Sequence, residues 1–195
     1  TVTVCAGTYA ENVAINKSLT LSGANAGTAG TSTSRVSESI IDGGGLNSVI
    51  KVEADDVTID GFTLQAGAGT YLAGVMSANV DGNSGLIVKN NIITDNVIGV
   101  YPECTDCIIE NNLFDSNNRP GPAGGSGIYT EHSTNLTIRN NEFTGHLNNS
   151  AVIFASVLAG SHTNTVFSNN QIHDNNPDNS MVYVVGMDGG SFTGN

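Results

Sequence analysis

The sequence predicts an all-β solenoid, a parallel β-helix of about six to seven coils with three short strands per coil. Three observations predict it. A strand-length unit recurs along the chain, an Asn-Asn pair sits at the same place inside most copies, and no stretch keeps a helical period. The unit reads "LIVKNNIIT" from Leu86, "CIIENNLFD" from Cys107, "LTIRNNEFT" from Leu136 and "TVFSNNQIH" from Thr165. "VTIDGFTL", from Val57, has the same outline with Asp60-Gly61 in the Asn-Asn place, and "SFTGN" at the end of the sequence resembles the start of another copy. The second members of the pairs, at 61, 91, 112, 141 and 170, lie 30, 21, 29 and 29 residues apart. A period of that size marks stacked supersecondary units.

The first strand of each unit alternates. Leu86 and Val88 point one way and Ile87 and Lys89 the other, and the same pattern gives Cys107/Ile109, Leu136/Ile138 and Val57/Ile59 as inward pairs. Period two is the mark of a strand with one buried face. A second apolar run follows at once, at Ile92, Leu113, Phe143 and Ile172. Only a sharp bend fits between the runs, and Asn and Gly are the residues that tolerate a left-handed backbone there. A third run follows a looser loop: "SVIKVE", "AGVMSA", "IGVYPE", "SGIYTE", "SAVIFA" and "MVYVVG". Residues at one place in successive coils stand about 4.8 Å apart. Asn91, Asn112, Asn141 and Asn170 are therefore expected to form an inward ladder of stacked amides, structural in role.

Composition agrees with one domain spanning residues 1–195. Charged residues make up only 12% of the 195, about half the globular norm. The segments 23–39 and 117–127, rich in Gly with Ser, Thr or Pro, read as loops bulging from the coils. A net charge of −12 with six Lys and Arg excludes nucleic acid and anionic membrane surfaces as partners. No apolar stretch is long enough for membrane insertion as a helix. The sequence opens in a strand, "TVTV", and stops within a coil, so a segment of a longer polypeptide is expected. Open coil ends leave strand edges that template further pairing, so self-association through those ends is a further expectation.

Cys104 and Cys107 form "CTDC". A zinc site needs about four ligands and no second pair exists. The alternatives are one buried and one turn thiol, or a local disulfide, with Cys5 unpaired or linked outside this segment. The sequons at Asn16, Asn135 and Asn148 are of a kind common by chance in Asn-rich sequence.

The third strands carry the candidate site. Aligned coil by coil, Val75, Val100, Ile128 and Val152 point inward, and the next residue outward is Lys51, Met76, Tyr101, Tyr129, Ile153 or Tyr183. Two residues further stand Glu53, Ala78, Glu103, Glu131, Ala155 and Val185, with His132 after Glu131. Tyr101 stacked on Tyr129, flanked by Glu103 and Glu131, would offer flat apolar faces and hydroxyl acceptors to a glycan, with Tyr183 and His132 nearby. Alternatively these side chains simply cover the sheet. Glu103 and Glu131 are also the one candidate catalytic pair. Two carboxylates one coil apart raise one pKa or recruit a cation, which makes calcium the only cofactor considered.

"VTVCAGTYAENVAINKSLTLSG" (2–23), "SIIDGGG" (39–45) and "ADDVTIDGFTL" (54–64) resemble the first coils of the right-handed parallel β-helix repeat superfamily, the pectate-lyase-like group. Gly7, Tyr9 and Glu11 match its G-x-Y-x-E element, shared by pectin methylesterases and many non-enzymatic surface proteins. The resemblance implies a right-handed helix and an extracellular setting, secreted or at a cell surface. It does not extend to the enzymes' motifs. The polygalacturonase elements, the methylesterase's downstream Gln and Asp, and the alginate-epimerase DPHE are absent, and "GHL" at 145–147 is a poor GHG. The nearest resemblance is therefore to non-catalytic members. The expected function is a rigid structural or adhesive module with a glycan-contacting face; the alternative is a polysaccharide lyase or hydrolase.

Overall fold

The computed structural model describes residues 1–77, 83–155, 161–178 and 180–195. Every strand pairing is parallel, and each strand pairs with its counterparts one coil away. Among the described residues two seven-stranded sheets, one of eleven strands and one of two result. The first sheet contains Thr58–Asp60, Ile87–Lys89, Ile108–Glu110, Thr137–Arg139 and His162–Ser168. The second runs through Ile40, Thr63, Ile92, Leu113, Glu142 and Gln171, and the third through Ile50, Val75, Val100, Ile128, Val152 and Val182. The first runs pair in the expected register, Ile59 with Val88, Val88 with Ile109, Ile109 with Ile138 and Ile138 with Phe167, all buried.

In the second sheet the inward column is Leu64, Ile93, Phe114, Phe143 and Ile172. Ile92 and Leu113 thus share a half-buried outward column with Glu142, not with Phe143. The strand restarts one residue later than the apolar run suggests, because the second Asn of each pair already points inward. Phe114 and Phe143 stack with ring centroids 4.7 Å apart and planes 2° from parallel.

The bend explains that offset. Asn90, Asn111, Asn140 and Asn169 adopt φ of 58°, 56°, 55° and 53°. The left-handed residue turns the chain sharply from the first sheet into the second and sends the next side chain into the core. Asn91, Asn112, Asn141 and Asn170 are buried there. Each Nδ2 donates to Oδ1 of the next, at 3.2, 3.0 and 3.1 Å, and Asn170 donates to Asn195 at 3.0 Å. Each Oδ1 also accepts a backbone N–H: Phe62 to Asn91, Asn91 to Asn112, Asn112 to Asn141, Asn141 to Asn170 and Asn170 to Asn195. The Nδ2 groups reach back to Ile59, Val88, Ile109, Ile138 and Phe167 carbonyls. Every amide is spent on backbone that the turn leaves unpaired. "SFTGN" is indeed another copy, with Gly194 at φ 68° and Asn195 as the last rung.

The Asp60-Gly61 alignment is corrected by one residue. Asp60 pairs with Lys89, so Gly61 (φ 82°) takes the left-handed place and Phe62 the ladder place. The geometry demands the left-handed residue first, and only Gly61 supplies it cheaply.

A second column runs along the next bend. The left-handed residues are Ala66, Asp95, Ser116, Gly145 and Asp174. Asn96 accepts from the Gly67 N–H, Asn96 Nδ2 donates to Asn117 Oδ1 at 2.9 Å, and Asn175 accepts from the His146 N–H. His146 occupies the rung between Asn117 and Asn175. It is fully buried, and neither ring nitrogen has a hydrogen-bond partner among the described residues. The Phe114 and Gly125 carbonyls face the ring without reaching hydrogen-bond geometry. They and Asp115 raise its pKa less than burial lowers it, to about 4.

The 23–39 segment does not bulge. It lies as a strap across the first bend: Asn25 N–H donates to Gly61 O, Gly30 N–H to Asn111 O, and the Arg35 guanidinium to Asn90 O at 2.8 Å. Arg35 is held by both oxygens of Glu38, at 2.8 Å each. A Cβ on Gly30 would come within 2.3 Å of Asn91 O, so only glycine allows this approach. Outward on the first sheet, Asp60, Lys89, Glu110 and Arg139 alternate in sign coil by coil. Lys89 Nζ lies 3.6 Å from Asp60, and Arg139 NH2 lies 2.7 Å from Glu110.

Thermal and denaturant unfolding should rank three variants. Ile138→Asp buries an unpaired carboxylate and should unfold neighbouring coils. Asn141→Ala should cost about 1–3 kcal/mol, for the partners left unsatisfied. His146→Asn should remove an acid-labile step. As pH falls from about 6.5 toward about 4, the unfolded chain binds a proton that the native imidazole refuses, so stability is lost across that window. The loss is on the order of 3 kcal/mol. Above pH 7 the two proteins should differ little in pH slope.

Candidate glycan-contacting face

The outward column of the third sheet follows the expected register. Lys51 pairs with Met76, Met76 with Tyr101, Tyr129 with Ile153 and Ile153 with Tyr183, while Val100 opposite Ile128 brings Tyr101 beside Tyr129. Ala78 lies outside the described residues.

The tyrosines do not form a flat open surface. Tyr101 and Tyr129 meet edge-to-face, with centroids 5.4 Å apart and planes at 82°, and each is at most 9% exposed. Tyr71 covers Tyr129 from the loop at 66–72, with centroids 5.4 Å apart, and Ala123 of the 117–125 loop packs over the same cluster with Ala68, Met76 and Ile153. The 117–127 segment, expected to bulge from the coils, and the 66–72 loop fold back over the sheet, because outward apolar side chains left uncovered would stand in water. Tyr183, in the last of these strands, is 48% exposed.

Glu103 and Glu131 are likewise engaged. Glu103 Oε1 accepts the backbone N–H groups of Glu131 (2.8 Å) and His132 (3.3 Å), and its Oε2 lies 3.2 Å from His132 Nδ1. Burial raises its pKa, and these contacts oppose the rise. Glu131 Oε1 accepts the Tyr129 hydroxyl at 2.7 Å. Burial first, then Glu131, pushes the Tyr129 pKa up, so this phenol stays a donor. The two carboxylates are thus drawn to different partners. Glu103 braces one coil against the next at the strand end, and the His132 ring projects into solvent with its Nδ1 side held. Among the described residues, no group of three or more His, Cys, Asp or Glu gathers as a metal site.

Accessible space lies earlier on the same face. A groove of about 350 Å³ opens over the first three strands, lined by Asn12, Ala14, Ser48, Lys51, Leu72 and Met76. Lys51 Nζ pairs with Glu53 at 2.6 Å on its rim. Sequence reading placed Lys51 and Met76 in the outward column but gave no sign of the walls, which come from the Asn12 turn and the Leu72 loop.

Two other constellations are structural. Cys104 and Cys107 are both buried and joined as a disulfide, with Cα atoms 6.2 Å apart, and Cys5 is free and exposed. Ser133 Oγ lies 2.9 Å from His162 Nδ1, in a column that runs Asn83, Cys104, Ser133, His162. Both side chains are buried, and burial lowers the His162 pKa, so the pair serves the core rather than a substrate. Among the described residues no helix is long and apolar enough to cross a membrane.

Comparison with known proteins bears on the fold. The pectin methylesterase from Aspergillus niger superposes with a TM-score of 0.48 at 15% identity, over 98% of this chain and 76% of that one. No curated protein matches. The family model described as the right-handed beta helix region matches residues 3–156. The matched span, the all-parallel coils and the stacked bends together place the chain in the right-handed β-helix family.

Proposed function

We propose that the chain is a rigid, non-catalytic β-helix module of a secreted or cell-surface protein, structural or adhesive in role, that contacts glycans through the open groove at Lys51 and Met76. The observation that carries the reading is the engagement of Glu103 and Glu131. Each carboxylate is held by donors of this same chain: Glu103 by the Glu131 and His132 N–H groups, and Glu131 by the Tyr129 hydroxyl. The buried amides, Ser133 and His162 are spent on the stack in the same way. The Cys104–Cys107 disulfide supports an oxidising, extracellular setting. A groove with Ala14, Leu72 and Met76 on its walls and Lys51 on its rim suits the apolar face of a sugar ring beside a hydroxyl or carboxylate. Self-association of copies through their coil ends belongs to the same proposal.

A second reading, a polysaccharide-degrading enzyme, draws on one observation. The exposed His132 imidazole has its Nδ1 side held by the partly buried Glu103, an arrangement that can orient a general base. In its calcium version, Glu103 and Glu131 share the cation.

Assays for reducing ends and unsaturated products on a polysaccharide panel should stay at background, and Glu103→Gln should leave them unchanged. Activity lost in Glu103→Gln and His132→Ala with the fold intact would establish the enzyme. Calorimetric titration with calcium should give no heat that Glu103→Gln abolishes. On glycan arrays, Lys51→Ala should weaken binding by about tenfold or more, the worth of one charge-assisted contact. Tyr129→Ala should instead lower the melting temperature, since its ring is core. Electron microscopy reads the association state as single rods or fibres.

A further inference from the structure

The left-handed residue of each first bend leaves its carbonyl out of the coil-to-coil ladder. In the early coils the strap satisfies these oxygens one after another. Gly61 O accepts from the Asn25 N–H at 3.2 Å, Asn90 O from Arg35 at 2.8 Å and Asn111 O from the Gly30 N–H at 2.9 Å. The strap then leaves the bend. No described residue donates to Asn140 O or Asn169 O. Their coils border a polar groove of about 200 Å³ lined by Thr31, Asn140, Asn141, Glu142, Asn169 and Gln171.

The groove continues the bed in which the strap lies. Where the strap is seated, Glu38 grips the Arg35 guanidinium and also accepts the Thr63 hydroxyl. Thr63 belongs to the outward column Thr63, Ile92, Leu113, Glu142, Gln171. In the open part that column itself supplies a carboxylate, Glu142, beside the two unfilled carbonyls. Among the described residues Glu142 has one basic neighbour, the His173 imidazole, with Nε2 3.2 Å from its Oε1, and Asp174 lies on the far side of that ring.

We propose that these two open rungs are a docking trench for an extended, arginine-bearing, Gly/Ser/Thr-rich peptide segment, laid on the coils as the chain's own strap is laid. Its backbone N–H groups fill one carbonyl, its guanidinium fills the other, and Glu142 holds the charge as Glu38 holds Arg35. The net charge of −12 favours approach of such a segment. A glycan also offers donors, but peptide N–H and guanidinium are the groups that already occupy this bed.

The test is a nuclear magnetic resonance titration of the whole chain with a synthetic peptide of the sequence Thr28–Val36. The amide signals of residues 140–142 and 169–171 should shift saturably. The Arg35→Gln peptide should bind about tenfold more weakly, and Glu142→Gln in the chain should weaken binding similarly. Any of four results overturns the proposal: no shifts at millimolar peptide, shifts centred elsewhere, or equal binding by the Arg35→Gln or a scrambled peptide. The fourth is that oligogalacturonate moves these signals and the peptide does not. None of these outcomes bears on the groove at Lys51, whose failure would be read separately on the glycan arrays.

Discussion

The fold depends on superposition of its left-handed bends. A carboxamide is the side chain that can accept from the turn's N–H, donate to the carbonyl of the coil before and still reach the same group one coil on. It does so only where successive turns lie directly over one another at the strand spacing. Asn91, Asn112, Asn141, Asn170 and Asn195 meet that condition within 3.2 Å throughout. Extra residues emerge from a looser loop, as 117–125 does, or, where they enter at the first bend between Ser22 and Ser39, run outside the stack as the strap. The strands inherit their register from the bends, and the apolar columns follow.

Much of this was legible in the residues, because stacking turns a repeat into a contact list. Four Asn pairs and the alternation of Leu, Val and Ile around them are enough to align the first and third sheets. The misread pair, Asp60-Gly61, shows the limit. Polarity placed Gly61 on the ladder, while backbone conformation puts it one residue earlier and hands the ladder place to Phe62. The second column was missed although it keeps a constant distance from the first. Asn96, Asn117, His146 and Asn175 each follow a first-column Asn by five residues. Its left-handed member changes from Asp to Ser to Gly, so no repeated dipeptide draws the eye.

Exposure was the harder matter. Register says which side chains adjoin, and it brought Tyr101 to Tyr129 and Glu103 toward Glu131. It says nothing of what lies above them. The covering loops share no pattern with the sheet they cover, and their contacts join Tyr71 and Ala123 to tyrosines far along the chain. Outward aromatic residues on a solenoid therefore carry two meanings, a binding face or the floor beneath a loop. Here the tyrosines are the floor, and the open groove lies where the column turns to Lys51 and Met76.

The alternating column Asp60, Lys89, Glu110, Arg139 has a consequence for how the chain finds its winding. The basic member of each pair, Lys89 or Arg139, reaches solvent, so the ion pairs themselves contribute little to stability. Omitting the Lys89 turn during assembly, however, would set Asp60 against Glu110, and omitting the Glu110 turn would set Lys89 against Arg139, so either skip places like charges together at the fault. The amides and aliphatic residues are too alike from coil to coil to detect such a skip. The charges are not, so they serve as a checksum on the count of turns rather than as glue.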